Sequence, residues 1–457
     1  MHDATQGQTD GKYTRAHFCK IFACERFGVQ LYSTVALQFR TLANHATLRG
    51  PKRMRNAAVE ETRILMPGVD DVGPYQPISL PGCSQWTPAS LNEREPAVDF
   101  IRSFSYHGLN VFPNVYLAPM AGVTDPSFRR LCKRLAGGRM GMLVSEFVSI
   151  EGLTRFNART CDQTKFFEEE RPFTVQIFGA DPARMAWAAR MVEESGAEAV
   201  EINVGCPVPR VVKRGGGSGL LRQLPLLAQI CEEVVKAVKI PVSIKVRIGW
   251  GEDQITLFET LKIAQESGVG LLVVHGRTRL QGYKGWSNWD LIGEVKSRAS
   301  IPVVGNGDVA TWQGAVDRLR RYGVDGVLVG RGAMHNPWIF RDIADFYEGK
   351  EPTAPTIAQQ REVFATYLEL LREEMPQESR QLGKLKQFAA RSMKSMRGVK
   401  EVRSAMLRSN EIPEFMDLAN TFYDQLEQDD GSIEWAPEDL ENLNGKNETD
   451  VECGCQW

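Results

Sequence analysis

From Val115 to Ala333 the chain repeats one local pattern eight times: a short run rich in β-branched residues, closed by glycine or a polar residue, then a stretch of helical character. The runs are Val115 to Gly122, Leu143 to Ser149, Phe173 to Gly179, Ala199 to Gly205, Val242 to Gly249, Leu271 to Arg277, Pro302 to Asp308 and Gly326 to Gly332. Pro182 to Ser195 and Leu221 to Val238, between runs, carry apolar residues at helical spacing. Eight β/α units in roughly 220 residues are what a TIM (β/α)8 barrel needs. A doubly wound sheet is the alternative. It usually has fewer strands and a GxGxxG turn after its first strand, which is absent here.

The flanks divide the rest. Residues 1–108 are expected to be a poorly ordered extension: Lys12 to Arg63 is basic with scattered aromatics, and 67–96 is rich in Pro, Gly and Ser. A nucleic-acid-binding arm is the alternative there. The catalytic barrel is expected over 109–348. After a linker at Gly349 to Thr356, a smaller all-helical domain is expected over 355–426, and a disordered acidic tail over 427–457.

Charge matters because of that tail. From Asp424 onward there are eleven acidic residues and one lysine. Without them the body holds 54 basic against 46 acidic residues, a balance of +8, which is compatible with a polyanionic partner. Nine cysteines, an odd number without metal-ligand spacing, argue for a reducing compartment. No apolar leader and no run of membrane-spanning length is seen, so a cytoplasmic protein without membrane contact is expected.

In a TIM barrel the carboxyl-terminal strand ends share one rim. The polar residues there are Pro119, Met120 and Ala121 (the first strand end), Ser145 and Glu146, Gln176, Asn203 and Cys206, Lys245 and Arg247, His275 and Arg277, Asn306, Gly307 and Asp308, and Gly330 and Arg331. Gly205 and Pro207 place the Cys206 thiol in a sharp turn at a strand end. A lone cysteine is more often an inert buried residue, but its polar company favours catalysis. The glycine loops after strands seven and eight, GNGD and GRGA, stand where this fold binds phosphate. The rim lacks a paired-carboxylate arrangement for glycoside hydrolysis and a metal-ligand cluster, so no metal is expected. Amides beside a cation suit the polar edge of a flat heterocycle such as a flavin. Lys245, inside an apolar run, is expensive to bury unless it contacts a partner or ligand. The glycines of Lys213 to Leu221 are read as a mobile lid, with a plain flexible loop as the alternative.

APMAGVTDPSFR, VQIFGAD, EINVGCP, IKVR, HGRTR, GNGD and GRGAMHNPW, in that order, resemble the motifs of tRNA-dihydrouridine synthases, and the bacterial B-type branch in particular. The resemblance covers roughly Val115 to Phe340 and weakens through the C-terminal helices; the first hundred residues have no counterpart. It implies FMN-dependent reduction of uridine in tRNA with NADPH or NADH as reductant, by a TIM barrel followed by a helical tRNA-binding domain. Pro119, Met120, Ala121, Gln176, Lys245 and His275 would face the flavin. Asn306, Gly307, Asp308, Gly330 and Arg331 would hold its ribityl-phosphate end, Asn203, Arg247 and Arg277 the substrate, and Cys206 would donate the proton. The basic run from Lys384 to Arg408 would face tRNA phosphates. A monomer is expected. An FMN-dependent reductase of a small pyrimidine and an RNA-binding relative without catalysis are the rival readings.

Overall fold

In the parallel part of the sheet, strand residues point alternately into the barrel and out towards the helices. Both sides are then buried, and both carry apolar clusters. In the computed structural model, which describes residues 102–428 apart from 395 and 397, the strands are β1 Phe104–Tyr106, β2 Leu109–Val111, β3 Val115–Leu117, β4 Leu143–Val144, β5 Val148–Ser149, β6 Phe173–Phe178, β7 Ala199–Val204, β8 Val242–Arg247, β9 Leu271–His275, β10 Val303–Asn306 and β11 Gly326–Val329. The expected N-terminal extension up to residue 101 and the acidic tail from residue 429 lie outside the described residues.

The large sheet runs β3-β11-β10-β9-β8-β7-β6-β4, with β5 also pairing with β6, and its registered pairs are parallel. Gly141 N–H donates to Val115 O at 3.2 Å across the remaining seam, so the eight strands form a nearly closed barrel. The second expected run divides into β4 and β5.

Outward residues such as Val175, Ile202, Val204, Ile244, Val246, Val274 and Val327 pack with the surrounding helices in the main core. Inward residues Tyr116, Met142, Ala199, Leu271, Val273, Val304 and Leu328 form a second cluster inside the barrel. Phe104, Tyr106 and Val111 of the β1–β2 hairpin belong to that inner cluster, which places the hairpin against the barrel interior. Removing a large side chain from either cluster is expected to cost about 2–5 kcal/mol.

Polar residues set the helix starts. Asp125, Asp181, Asn288 and Thr311 each accept a backbone N–H of the first turn, and Pro126 and Pro182 follow two of these caps. Beyond the barrel, helices Ile357–Glu374, Glu378–Ser392, Val399–Arg408 and Ile412–Gln428 pack around Phe364, Phe388, Phe415 and Tyr423. Thr356 and Gln359 close the first of these helices with a reciprocal capping box. Phe128, on helix Pro126–Leu135, meets Tyr367 and Phe388 edge-on and joins barrel to helices. No helix among the described residues is long and apolar enough to cross a membrane.

Candidate active site at the strand ends

Cys206 begins where β7 stops, and three side chains hold its turn. Asn203 Oδ1 accepts from Gly205 N at 3.1 Å and Cys206 N at 2.9 Å. Arg247 Nε donates to Gly205 O at 2.9 Å. Ser218 donates to Cys206 O from its backbone N at 3.1 Å and from its hydroxyl at 2.8 Å. The thiol residue is 6 % exposed, packed with Phe147 and Val211.

The segment expected to be a mobile lid is part of this support. Gly217–Arg222 forms a buried 3-10 turn beneath Cys206. Gly217 has φ +56°, and a Cβ there would lie 2.9 Å from Cys206 O. Its glycine permits this close approach.

Gln176 and Asn203 come together through Asn203 Nδ2, which donates to Gln176 Oε1 at 2.7 Å. Gln176 Nε2 donates in turn to Glu201 Oε1 at 2.6 Å, inside the barrel. Glu201 was not among the expected site residues. It lies two positions before Asn203 and so faces inward with it; a carboxylate inside the apolar run AVEINV was the available signal. Lys245 Nζ donates to Asn306 Oδ1 at 3.0 Å, and Asn306 Nδ2 to Leu328 O at 3.0 Å. Burial pushes Glu201 up to about 7 and Lys245 down to about 8, each opposed by the other's charge.

On the other side of the rim the chemistry is ionic. Asp308 takes φ +53° and pairs with Arg277 at 2.8 Å and Arg331 at 3.2 Å, while accepting Ser287 N–H at 2.7 Å. Gly307 has φ +122°, and a Cβ there would overlap Ser287 Oγ at 2.1 Å. A Cβ on Gly330 would sit 3.7 Å from both Ala118 and Met120, so this strand end lies close to the turn Pro119-Met120-Ala121. Two guanidiniums around one carboxylate leave a net positive corner at the β10 and β11 loops.

Arg247 and Arg277, expected to meet substrate, also hold the local fold. Arg247, 2 % exposed, also donates to Thr278 O at 2.9 Å and Gly282 O at 2.8 Å. Arg277, fully buried, donates to Lys284 O, Ser287 Oγ and Gly285 O besides pairing with Asp308. Both anchor the loop that follows β9. Burial lowers Arg247 to about 10, which leaves it cationic at neutral pH. Burial, then Arg247 and Lys245, hold His275 well below the ordinary histidine range, so its ring is neutral. The anchored loop carries Tyr283 over the rim: its ring centre lies 5.7 Å from the Arg247 guanidinium, 5.2 Å from that of Arg331 and 6.4 Å from the His275 ring. Leu280, Tyr283 and Trp286 on this loop are exposed.

The basic C-terminal run is not one surface. Lys384 Nζ pairs with Asp125 at 2.6 Å and donates to Gly122 O at 2.7 Å, inside the seam between barrel and helices. Lys394, Lys400 and Arg408 are exposed, and Arg397 lies outside the described residues.

A parallel α/β barrel with a pinned thiol, amides, a lysine and a neutral histidine at its carboxyl-terminal strand ends defines an α/β-barrel enzyme site. Residues 116–426 match the family model described as dihydrouridine synthase. The chain is 41% identical over 260 residues to tRNA-dihydrouridine synthase B of Pseudomonas putida, covering 56% of this chain and 76% of that one. It is 35% identical over 335 residues to a probable tRNA-dihydrouridine synthase of Synechocystis, covering 73% and 93%. A probable tRNA-dihydrouridine synthase of Rickettsia prowazekii is 40% identical over 260 residues, covering 56% and 79%. The chain belongs to the tRNA-dihydrouridine synthase family, with likeness to its B-type members, and is an enzyme.

Proposed function

We propose that this chain reduces chosen uridines of tRNA to 5,6-dihydrouridine, with FMN as its cofactor, NADPH or NADH as reductant and Cys206 as proton donor. The observation that carries the reading is the Cys206 turn, fixed by Asn203, Arg247 and Ser218 beside the amide and lysine side of the rim. A proton donor must be held at one place to act in a transition state.

The residues present fit a flavin. Lys245 spends one donor on Asn306, and the amide nitrogens of Gln176 and Asn203 each keep a second N–H. These donors suit the electron-rich edge of the ring system. Asn306, Gly307, Asp308, Gly330 and Arg331 would hold its ribityl-phosphate end at the corner that Arg277 and Arg331 make net positive, and Pro119, Met120 and Ala121 would line the ring system. When bound and reduced, FMN would supply hydride chemistry for carbon 6 of the uracil. Cys206 gives its proton to carbon 5, and its thiolate regains one from solvent. Asn203 orients the Cys206 backbone, and neutral His275 offers a hydrogen bond without adding charge. Arg247 and Arg277 support substrate binding indirectly, by holding the loop that carries Tyr283.

The target base must leave its stack to reach this rim. Exposed Tyr283 and Trp286 offer stacking faces at its edge, and exposed Lys394, Lys400 and Arg408 offer charge to phosphates. The barrel is thus the catalytic domain and the helices the tRNA-binding one, in a monomer working in the cytoplasm.

The test is Cys206→Ala in purified, flavin-loaded protein. It should keep its flavin absorbance and lose about 100-fold or more in tRNA reduction. Turnover near wild type would overturn the role of Cys206.

A further inference from the structure

Glu201 takes no part in the steps above, yet it lies within the barrel at the foot of the Cys206 support. The hydrogen-bond directions there are forced. Backbone N–H groups can only donate, so the side-chain atom facing Gly205 N and Cys206 N must be Asn203 Oδ1. The Asn203 amide nitrogen must then face Gln176 Oε1, and the Gln176 nitrogen must face Glu201 Oε1. The last member of such a chain has to accept, and a carboxylate can do nothing else. Turning Gln176 over would set oxygen against carboxylate and NH2 against NH2.

The remaining surroundings offer the Glu201 carboxylate little stabilisation. It is fully buried, its Oε2 meets no partner at good hydrogen-bond geometry although the Ser243 hydroxyl is near enough to favour its charge, and the nearby Tyr116 hydroxyl is also unpartnered. A half-satisfied buried carboxylate costs stability, whereas an apolar side chain would extend the inner cluster. Lys245, on the adjacent strand β8 two positions beyond Ser243, which pairs with Glu201, shares this inner face without a direct ion pair. The groups facing the pair are Gln176 of β6, Ser243 and Arg247 of β8, His275 of β9, Asn306 of β10, Tyr116 of β3 and Tyr106 of β1. Glu201 is the only acid among them.

We infer that Glu201 is a positioning residue for the reaction: from below the rim it holds the Gln176–Asn203 amide chain, and through it the Cys206 turn, in one orientation, and sets a negative charge opposite Lys245. This rests on the proton-donor reading of Cys206. The charge has a separate consequence. Glu201 raises the lysine against the burial that lowers it to about 8, so removing the carboxylate must make Lys245 lose its proton at lower pH.

The experiment is steady-state tRNA reduction by the full chain loaded with FMN, followed from about pH 6 to pH 9.5, for wild type and Glu201→Gln. Gln keeps shape and an acceptor but removes the charge. The expected result is a kcat lower by about 10- to 100-fold, a KM for tRNA within about twofold of wild type, and a basic limb displaced by roughly one unit to lower pH. If that variant does not fold, Gln176→Leu breaks the same chain one link higher and should lose kcat similarly. A folded, flavin-loaded Glu201→Gln with wild-type kcat and an unmoved basic limb overturns the inference alone. So does Gln176→Leu at wild-type kcat. A wild type that makes no dihydrouridine overturns the reading of function and this inference with it.

Discussion

Two buried carboxylates, Glu201 inside the barrel and Glu374 at the seam between barrel and helices, are both pushed up to about 7, chiefly by burial. Their partners differ. Glu374 accepts both the N–H of Ser127, at 2.9 Å, and its hydroxyl, and so ties helix Ile357–Glu374 to helix Pro126–Leu135. Beside it Lys384 holds Asp125 and Gly122 O, and Glu146 accepts from Gly122 N. Those bonds join surfaces. Glu201 instead begins a single chain of hydrogen bonds that ends on the backbone of Cys206. A displaced pKa therefore marks burial in both regions, and only the direction of the bonds separates a joint from a site.

The largest break in that comparison should come at the seam. Lys384→Met leaves Asp125, Glu146 and Glu374 without their shared lysine and should cost about 3–5 kcal/mol in denaturant unfolding. A loss under about 1 kcal/mol would mean that the aromatic contacts of Phe128 hold the seam unaided.

Glu374→Gln sharpens the comparison next. A carboxyl raised from 4.5 to about 7 in the fold contributes most at low pH and loses that contribution as pH rises through this window. Glutamine removes the loss, so the variant should gain on the order of 2 kcal/mol over wild type at pH 8 and little at pH 4.5. Glu201→Gln should show the same sign in stability, since its carboxyl is raised over the same window. The two part in turnover: Glu374→Gln should stay within about twofold of wild type, and Glu201→Gln should not. Equal turnover in both would erase the distinction drawn here.

Trp286→Ala touches neither buried region and should have the smallest effect. Unfolding should move by less than about 0.5 kcal/mol, and the KM for tRNA should rise about fivefold through loss of one stacking face. An unchanged KM would take Trp286 out of the tRNA surface.

The barrel was legible because parallel strands buried on both faces read as continuous apolar runs, such as Leu271 to Val274. The Cys206 turn was legible because Gly205, Cys206 and Pro207 are adjacent in the chain. What stayed hidden depends on partners distant in sequence or on backbone atoms. That Arg247 and Arg277 also hold a loop shows only once the carbonyls of residues 278, 282, 284 and 285 are found around them. Lys384 looks like one more phosphate contact until Asp125, far earlier in the chain, is seen beside it. The β1–β2 hairpin has three-residue strands, too short to show a period.

The central claim is that this rim reduces uridine in tRNA, and dihydrouridine itself is the most direct witness. The full chain, and its Cys206→Ala variant, would be expressed in a strain lacking its own synthases and the tRNA mapped by mass spectrometry. Dihydrouridine at a defined position with the wild type, and none with the variant, is the predicted result. Soluble, flavin-loaded wild type that leaves every uridine unreduced would contradict the account.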